Sequence, residues 1–163
     1  MERFEIIVNP TGGKKAIALS ELSEFLRCFE QSYALANYYY CAIDHKGFIK
    51  SGSKSEVERL KLFFSKNKNI EMSLAHTEPL LFDSINTNSP LKFVGYCSGV
   101  SILALSLSVA LAGGEVDLTN NTFKVNSLTE AVGNYKKQIS EIEGEPKEPE
   151  ALKHKPRRRP SRF

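Results

Sequence analysis

The sequence predicts an α+β domain in which a mixed sheet with local hairpins is packed by about four helices. Three observations lead there. Short apolar runs of strand length are interspersed with stretches whose apolar residues recur every three or four positions, and hairpins are mixed with crossover helices rather than alternating strictly with them. A chain of 163 residues that is 41% hydrophobic, with ten Phe and six Tyr, fills one core without disulfides or a metal. Near Gly144 the composition shifts to proline and charge, so residues 1–143 are expected to be the compact domain and residues 144–163 a flexible Pro-rich basic tail.

Phe4 to Val8 is an apolar run closed by Asn9-Pro10-Thr11-Gly12-Gly13, which predicts a first strand ending in a turn. Leu19, Leu22, Phe25, Leu26, Phe29, Tyr33, Ala36 and Tyr40 then mark one face of a long helix, with Glu21, Glu24, Arg27 and Glu30 opposite. Ala42-Ile43 and Phe48-Ile49 flank Asp44-His45-Lys46-Gly47 as a tight hairpin would. Ser53 and Glu56 have capping-box spacing and open a second helix that buries Val57, Leu60, Phe63 and Phe64. Ile70, Met72 and Leu74 alternate with polar residues and predict a half-exposed strand. Pro79 to Ile85 fits neither period. Leu91 to Tyr96 predicts a strand and Val100 to Ala112 an apolar helix, stopped by Gly113-Gly114. Glu115–Leu118 and Thr122–Val125 bracket Asn120-Asn121 as a hairpin with a two-residue turn. Ser127 and Glu130 cap a last helix whose buried stripe is Leu128, Val132, Tyr135, Ile139 and Ile142.

Charge is unevenly placed. From Met1 to Ile142, fifteen basic residues balance fifteen acidic ones, so the net charge of +3 arises entirely from Glu143 onward. There Lys153, Lys155, Arg157, Arg158, Arg159 and Arg162 form a cluster suited to weak, non-specific contact with nucleic acid or an anionic membrane. No aromatic platform accompanies it, so it carries no base specificity. Cys28, Cys41 and Cys97 are too few and too far apart for a disulfide framework, and no His or carboxylate stands at ligand spacing, so neither a metal nor a cofactor is expected. A reducing, cytoplasmic setting follows from the cysteines and from an N-terminal stretch without signal-like character.

Three motifs carry functional readings. Ile6-Ile7-Val8-Asn9-Pro10-Thr11-Gly12-Gly13-Lys14-Lys15 resembles the opening of lipid kinases of the diacylglycerol and sphingosine kinase type. That resemblance implies a phosphate held by Gly12, Gly13, Lys14 and Lys15, because a glycine turn presents amides to the anion. It covers about ten residues, and the second glycine-rich turn of that family has no counterpart here. Phe93-Val94-Gly95-Tyr96-Cys97-Ser98-Gly99 resembles the cysteine form of the nucleophile elbow in α/β-hydrolases such as the dienelactone hydrolases, which implies a thiolate nucleophile at Cys97. The Asp and His after it are Asp117, in the predicted hairpin, and His154, in the tail, so the catalytic partners are missing. Val94 to Gly114 carries no charge and is long enough at helical rise to cross a bilayer, which implies membrane association through residues 94–112, yet a helix starting near Val100 has only the length of a core helix, its Ser101 and Ser108 suited to packing against a sheet. The run from Ser89 to Leu118 also looks like a pattern in small bacterial proteins and implies no activity.

With no catalytic constellation complete, the sequence favours a non-enzymatic interaction module that binds a protein partner or itself, the basic tail adding a secondary contact. The alternatives are a small enzyme using Cys97 or the Gly12-Gly13-Lys14 turn, and a membrane-associated protein acting through residues 94–112.

Overall fold

The computed structural model describes residues 1–10, 16–42, 53–66, 78–86, 88 and 90–143. The hairpin expected around residues 44–47, the strand expected at 70–74 and the tail from 144 lie outside them. Among the described residues the fold is α+β, with one five-stranded mixed sheet and four helices. In chain order the elements are β1 (Glu2–Val8), α1 (Leu19–Ala42), α2 (Ser53–Lys66), β2 (Leu81–Asn86), β3 (Leu91–Cys97), α3 (Gly99–Leu111), β4 (Glu115–Asp117), β5 (Thr122–Val125) and α4 (Leu128–Glu143). The strand order is β2-β3-β1-β5-β4, parallel only between β1 and β5.

Alternation decides the two faces of the sheet. Phe4, Ile6 and Val8 of β1, Leu91, Phe93 and Cys97 of β3, and Phe123 and Val125 of β5 are all buried on the helical face. On the other, open face, which no described helix covers, Glu5 accepts ion pairs from Arg3 and from Lys92, 3.8 and 2.9 Å away, and Ile7 and Val94 are half-buried. Gly95 shares the helical face, and its missing side chain matters. A Cβ there would lie 2.3 Å from the Leu81 carbonyl oxygen and 2.7 Å from the Phe4 ring. Phe4 occupies that space and meets Phe82 edge to face, with ring centroids 5.8 Å apart.

The helices follow their caps and the faces they bury. α3 begins at the N-cap Ser98, whose hydroxyl accepts from the Ser101 amide at 3.3 Å. It ends in paired bonds from Gly113 N–H to the Ala110 carbonyl and Gly114 N–H to the Val109 carbonyl, both 3.0 Å, with Gly113 at φ +76°. Its mean hydropathy is high because it is enclosed, with Ala104, Leu105, Leu107 and Val109 essentially without exposure. No described helix is long and apolar enough to cross a membrane. α4 buries the stripe expected for it, from Leu128 through Ile142, and Ser127 accepts the Glu130 amide at 3.4 Å. α2 buries Leu60 and Phe64 and half-buries Val57 and Phe63.

Three expectations change. Leu19 and Leu26 of α1 are exposed, whereas Cys28, Leu35 and Tyr39, off the expected stripe, are buried. The reason is that α1 is surrounded over its second half, from Ser32 to Tyr40, and only there loses its solvent face. The serines of α3 face α1 and residue 78 rather than the sheet: Ser108 lies 2.5 Å from Ser32, hydroxyl to hydroxyl, and Ser101 bonds Glu78. The β4–β5 connection takes four residues, not two, because the Asp117 carboxylate accepts from the amides of Thr119 and Asn120, and only Asn121 adopts positive φ, at 50°.

Gly95→Ala is expected to destabilise the fold by about 1–3 kcal/mol, since the new methyl meets backbone as well as the Phe4 ring. Chemical denaturation measures the loss, and loss of the Phe4–Phe82 contact should appear as a shift of the ring resonances of Phe82.

Candidate functional site

Among the described residues, the helical layer does not extend over β2. Opposite partners in a sheet share a face, and β2 pairs Phe82 with Gly95 and Ile85 with Phe93, which places Phe82 and Ile85 on the helical side. There they are 41% and 56% exposed, while Phe93, one strand inward, is 4% exposed. Leu81 pairs with Tyr96 on the open face, and these two are 48% and 39% exposed. All six residues of β2 are exposed, and its outer edge meets no described strand.

Beside β2, residues 26–34 of α1 and residues 78–82 line a groove of about 430 Å³. Leu26, Phe29 and Tyr33 form one wall, Pro79, Leu80 and Phe82 the other, with Glu30 at the rim. Two acids, Glu30 and Glu78, are also among its lining residues.

Glu78 fixes the chain where it enters β2, through four bonds to two helices. Its backbone carbonyl accepts from the Tyr33 hydroxyl at 2.8 Å and its amide donates to Asn37 Oδ1 at 3.4 Å, both on α1. Its carboxylate accepts from the Ser98 and Ser101 hydroxyls, the latter at 2.9 Å, at the start of α3. These hydroxyl donors hold the Glu78 carboxyl below its ordinary range. The helix N-terminus favours the same charge. Burial pushes the Tyr33 phenol up to about 12, with Ser101 pulling the other way and the Cys97 and Glu78 charges adding to the rise, so it remains a donor at neutral pH.

Cys97 closes β3, opposite Glu2, and is 1% exposed. Burial pushes its thiol up to about 11, reinforced by the negative charges of Glu2 and Glu78 and only partly opposed by the N-terminal amine. The helix that follows does not lower it, because Ser98 and Glu78 already occupy the α3 N-terminus. Cys28 is also buried and Cys41 is exposed. His45, His76 and His154 lie outside the described residues. So do Gly12, Gly13, Lys14 and Lys15, and the basic cluster of Lys153, Lys155, Arg157, Arg158, Arg159 and Arg162. Asn9, at the head of the first motif, is engaged through its backbone, its amide donating to the Val125 carbonyl at 2.9 Å and its carbonyl accepting from the Leu128 amide at 3.2 Å. Among the described residues no group of His, Cys, Asp and Glu is placed to hold a metal ion.

The structure therefore brings together residues that the sequence reading did not group: Leu26, Phe29 and Tyr33 with Pro79, Leu80 and Phe82. The sequence signal for this was an apolar pair, Leu81-Phe82, recurring at Ile85 in a stretch that fitted no period, together with a helix face wider than its burial partners.

At neutral pH iodoacetamide is expected to label Cys41 while Cys28 and Cys97 stay protected until the protein unfolds, which peptide mass mapping with and without denaturant would show. A carboxyl held low in the folded state stabilises above its unfolded value, about 4.3 for Glu, and that contribution is lost as pH falls through the lower folded value. Glu78→Gln should accordingly lower the melting temperature near pH 7 and flatten its decline between about pH 5 and 3. Compared with known proteins, the chain matches no family model, no curated protein and no solved structure.

Proposed function

We propose that the protein is a non-enzymatic interaction module in which β2 and the adjoining groove take up an extended segment of a protein chain. The observation that carries this reading is an edge strand with every residue exposed, bearing Leu81, Phe82 and Ile85 beside an apolar groove. Sheet edges are the places where a chain adds by backbone hydrogen bonds, which supply affinity irrespective of sequence. Specificity then comes from every second side chain of the added segment, those that point to the helical face and reach Phe82, Ile85 and the groove. The acids lining the groove, Glu30 and Glu78, favour a segment that carries basic residues.

Support also comes from the state of the cysteine in the elbow-like motif. A thiol with 1% exposure and a proton it keeps to about pH 11 is a packing group, which favours binding over nucleophilic chemistry. The cluster from Lys153 to Arg162 adds a screened secondary contact to acidic surfaces in this reading.

A displayed library of random linear peptides tests the proposal. The expected selection is of segments with apolar residues at alternate positions, and Ile85→Lys should weaken the selected peptides about tenfold, the effect of removing one apolar anchor worth about 1.4 kcal/mol, without lowering the melting temperature. Failure to enrich any such peptide, or equal binding to Ile85→Lys, overturns the reading.

A further inference from the structure

We infer that the segment received by β2 is β2 of a second copy of this chain, so that two five-stranded sheets join edge to edge across a two-fold axis. This rests on the interaction reading above and names its partner. The argument comes from an irregularity in β2. Along β3 the opposed residues run Phe82 to Gly95 and then Ser84 to Val94, so β2 spends an extra residue, Asp83, without advancing its partner. The bulge resets which face each side chain takes. Leu81, Ser84 and Asn86 lie with Tyr96, Val94 and Lys92 on the open face, and Phe82 and Ile85 lie with Gly95 and Phe93 on the helical face.

In any antiparallel pair, residues directly opposite must share a face. In a regular strand, a two-fold axis passing between neighbouring residues sets each residue against one from the other face. Faces then match only about an axis through a residue, which leaves an end residue of a six-residue strand unpaired. In β2 the bulge removes the conflict. An axis between Asp83 and Ser84 sets Leu81 against Asn86 of the second copy, both on the open faces, and Phe82 against Ile85 of the second copy, both on the helical faces. Each strand contributes one extra residue inside the same interval, so the two irregularities cancel. Moving the axis by half a residue either way sets Phe82 or Ile85 against an open-face residue or shortens the overlap. The strand is thus self-complementary in one full-length register.

Charge and closure agree with that register. The one charged residue of β2, Asp83, stands opposite Ser84 of the second copy rather than opposite another carboxylate. Phe82 and Ile85 from both chains form an aromatic and β-branched cluster that continues the groove wall at Leu80 and Leu26. Pairing uses both β2 edges and leaves at each end β4, which is three residues long and carries Glu115 and Asp117, both exposed. Such an edge discourages further strand addition, so the assembly closes at two. Six residues of strand with a flanking groove form a small interface, for which a Kd in the micromolar range is expected.

The test uses light scattering and cysteine pairing on the full chain with Cys41→Ser. At about 100 μM the protein should be dimeric, and Ile85→Lys should make it monomeric. Under mild oxidation, a mixture of chains carrying Leu81→Cys with chains carrying Asn86→Cys should yield disulfide-linked dimers, while either chain alone should not. Both positions are exposed, and directly opposed Cα atoms lie about 4.5–5.5 Å apart, within disulfide range. A monomer at that concentration overturns the inference, as does a dimer that survives Ile85→Lys or fails to link Leu81→Cys to Asn86→Cys. A monomer that still selects alternating apolar peptides removes only the second copy; a monomer that selects none removes the interaction reading with it.

Discussion

A mismatch in width governs this molecule: among the described residues the sheet has five strands, and the helical layer seals one face of β3, β1 and β5. Burial falls from nearly complete at Phe93 to less than half at Ile85 within one interstrand step. The cause lies in how the helices share the sheet. α3 is enclosed, packed mainly by α1 and α2, and residues 26–34 of α1 border the groove beside β2. Apolar surface left uncovered at a sheet edge is costly in water, and a chain that retains it has a use for it or carries a liability.

What holds β2 in place despite that exposure is a small set of specific contacts at its two ends of influence. Phe4 lies over Gly95 and receives the ring of Phe82, which fixes the helical face of the strand. Glu78 joins the approach to β2 to α1 through Tyr33 and Asn37, and to α3 through Ser98 and Ser101. The same carboxylate occupies the N-terminus of α3 and adds negative charge near Cys97, a smaller contribution to the raised thiol than its burial and Glu2.

The parts of the fold that were legible in the sequence are those where one period runs without interruption. α4 follows from spacing and its cap because it buries a single continuous stripe, and α3 from an unbroken apolar run because it is enclosed nearly all round. α1 was legible as a helix but not in its burial, since Leu19 and Leu26 share the spacing of Phe29 and Tyr33 while only the latter meet neighbours. β2 was not legible: Asp83 is an added residue that breaks the two-residue alternation, and whether a residue is added is defined only against the opposing strand. The groove was hidden for the same reason, as its walls are residues 26–33 and 79–82, distant in sequence. The paired serines illustrate the limit from another side, for small residues on a helix announce a close approach without saying to what, and Ser108 meets Ser32 of α1.

The parallel pairing of β1 with β5 has a consequence for how the chain reaches this structure. Residues 5–8 find their partners at residues 122–125, so the central strand of the sheet has one side unsatisfied until nearly all of the described chain has been synthesised. Loop closure over such a separation is slow, whereas β2 and β3 join through a short connection and can meet early. On the ribosome the hairpin therefore precedes the core that later leaves it uncovered, and the nascent chain has to keep Phe82 and Ile85 from premature company while it waits for its own C-terminal third.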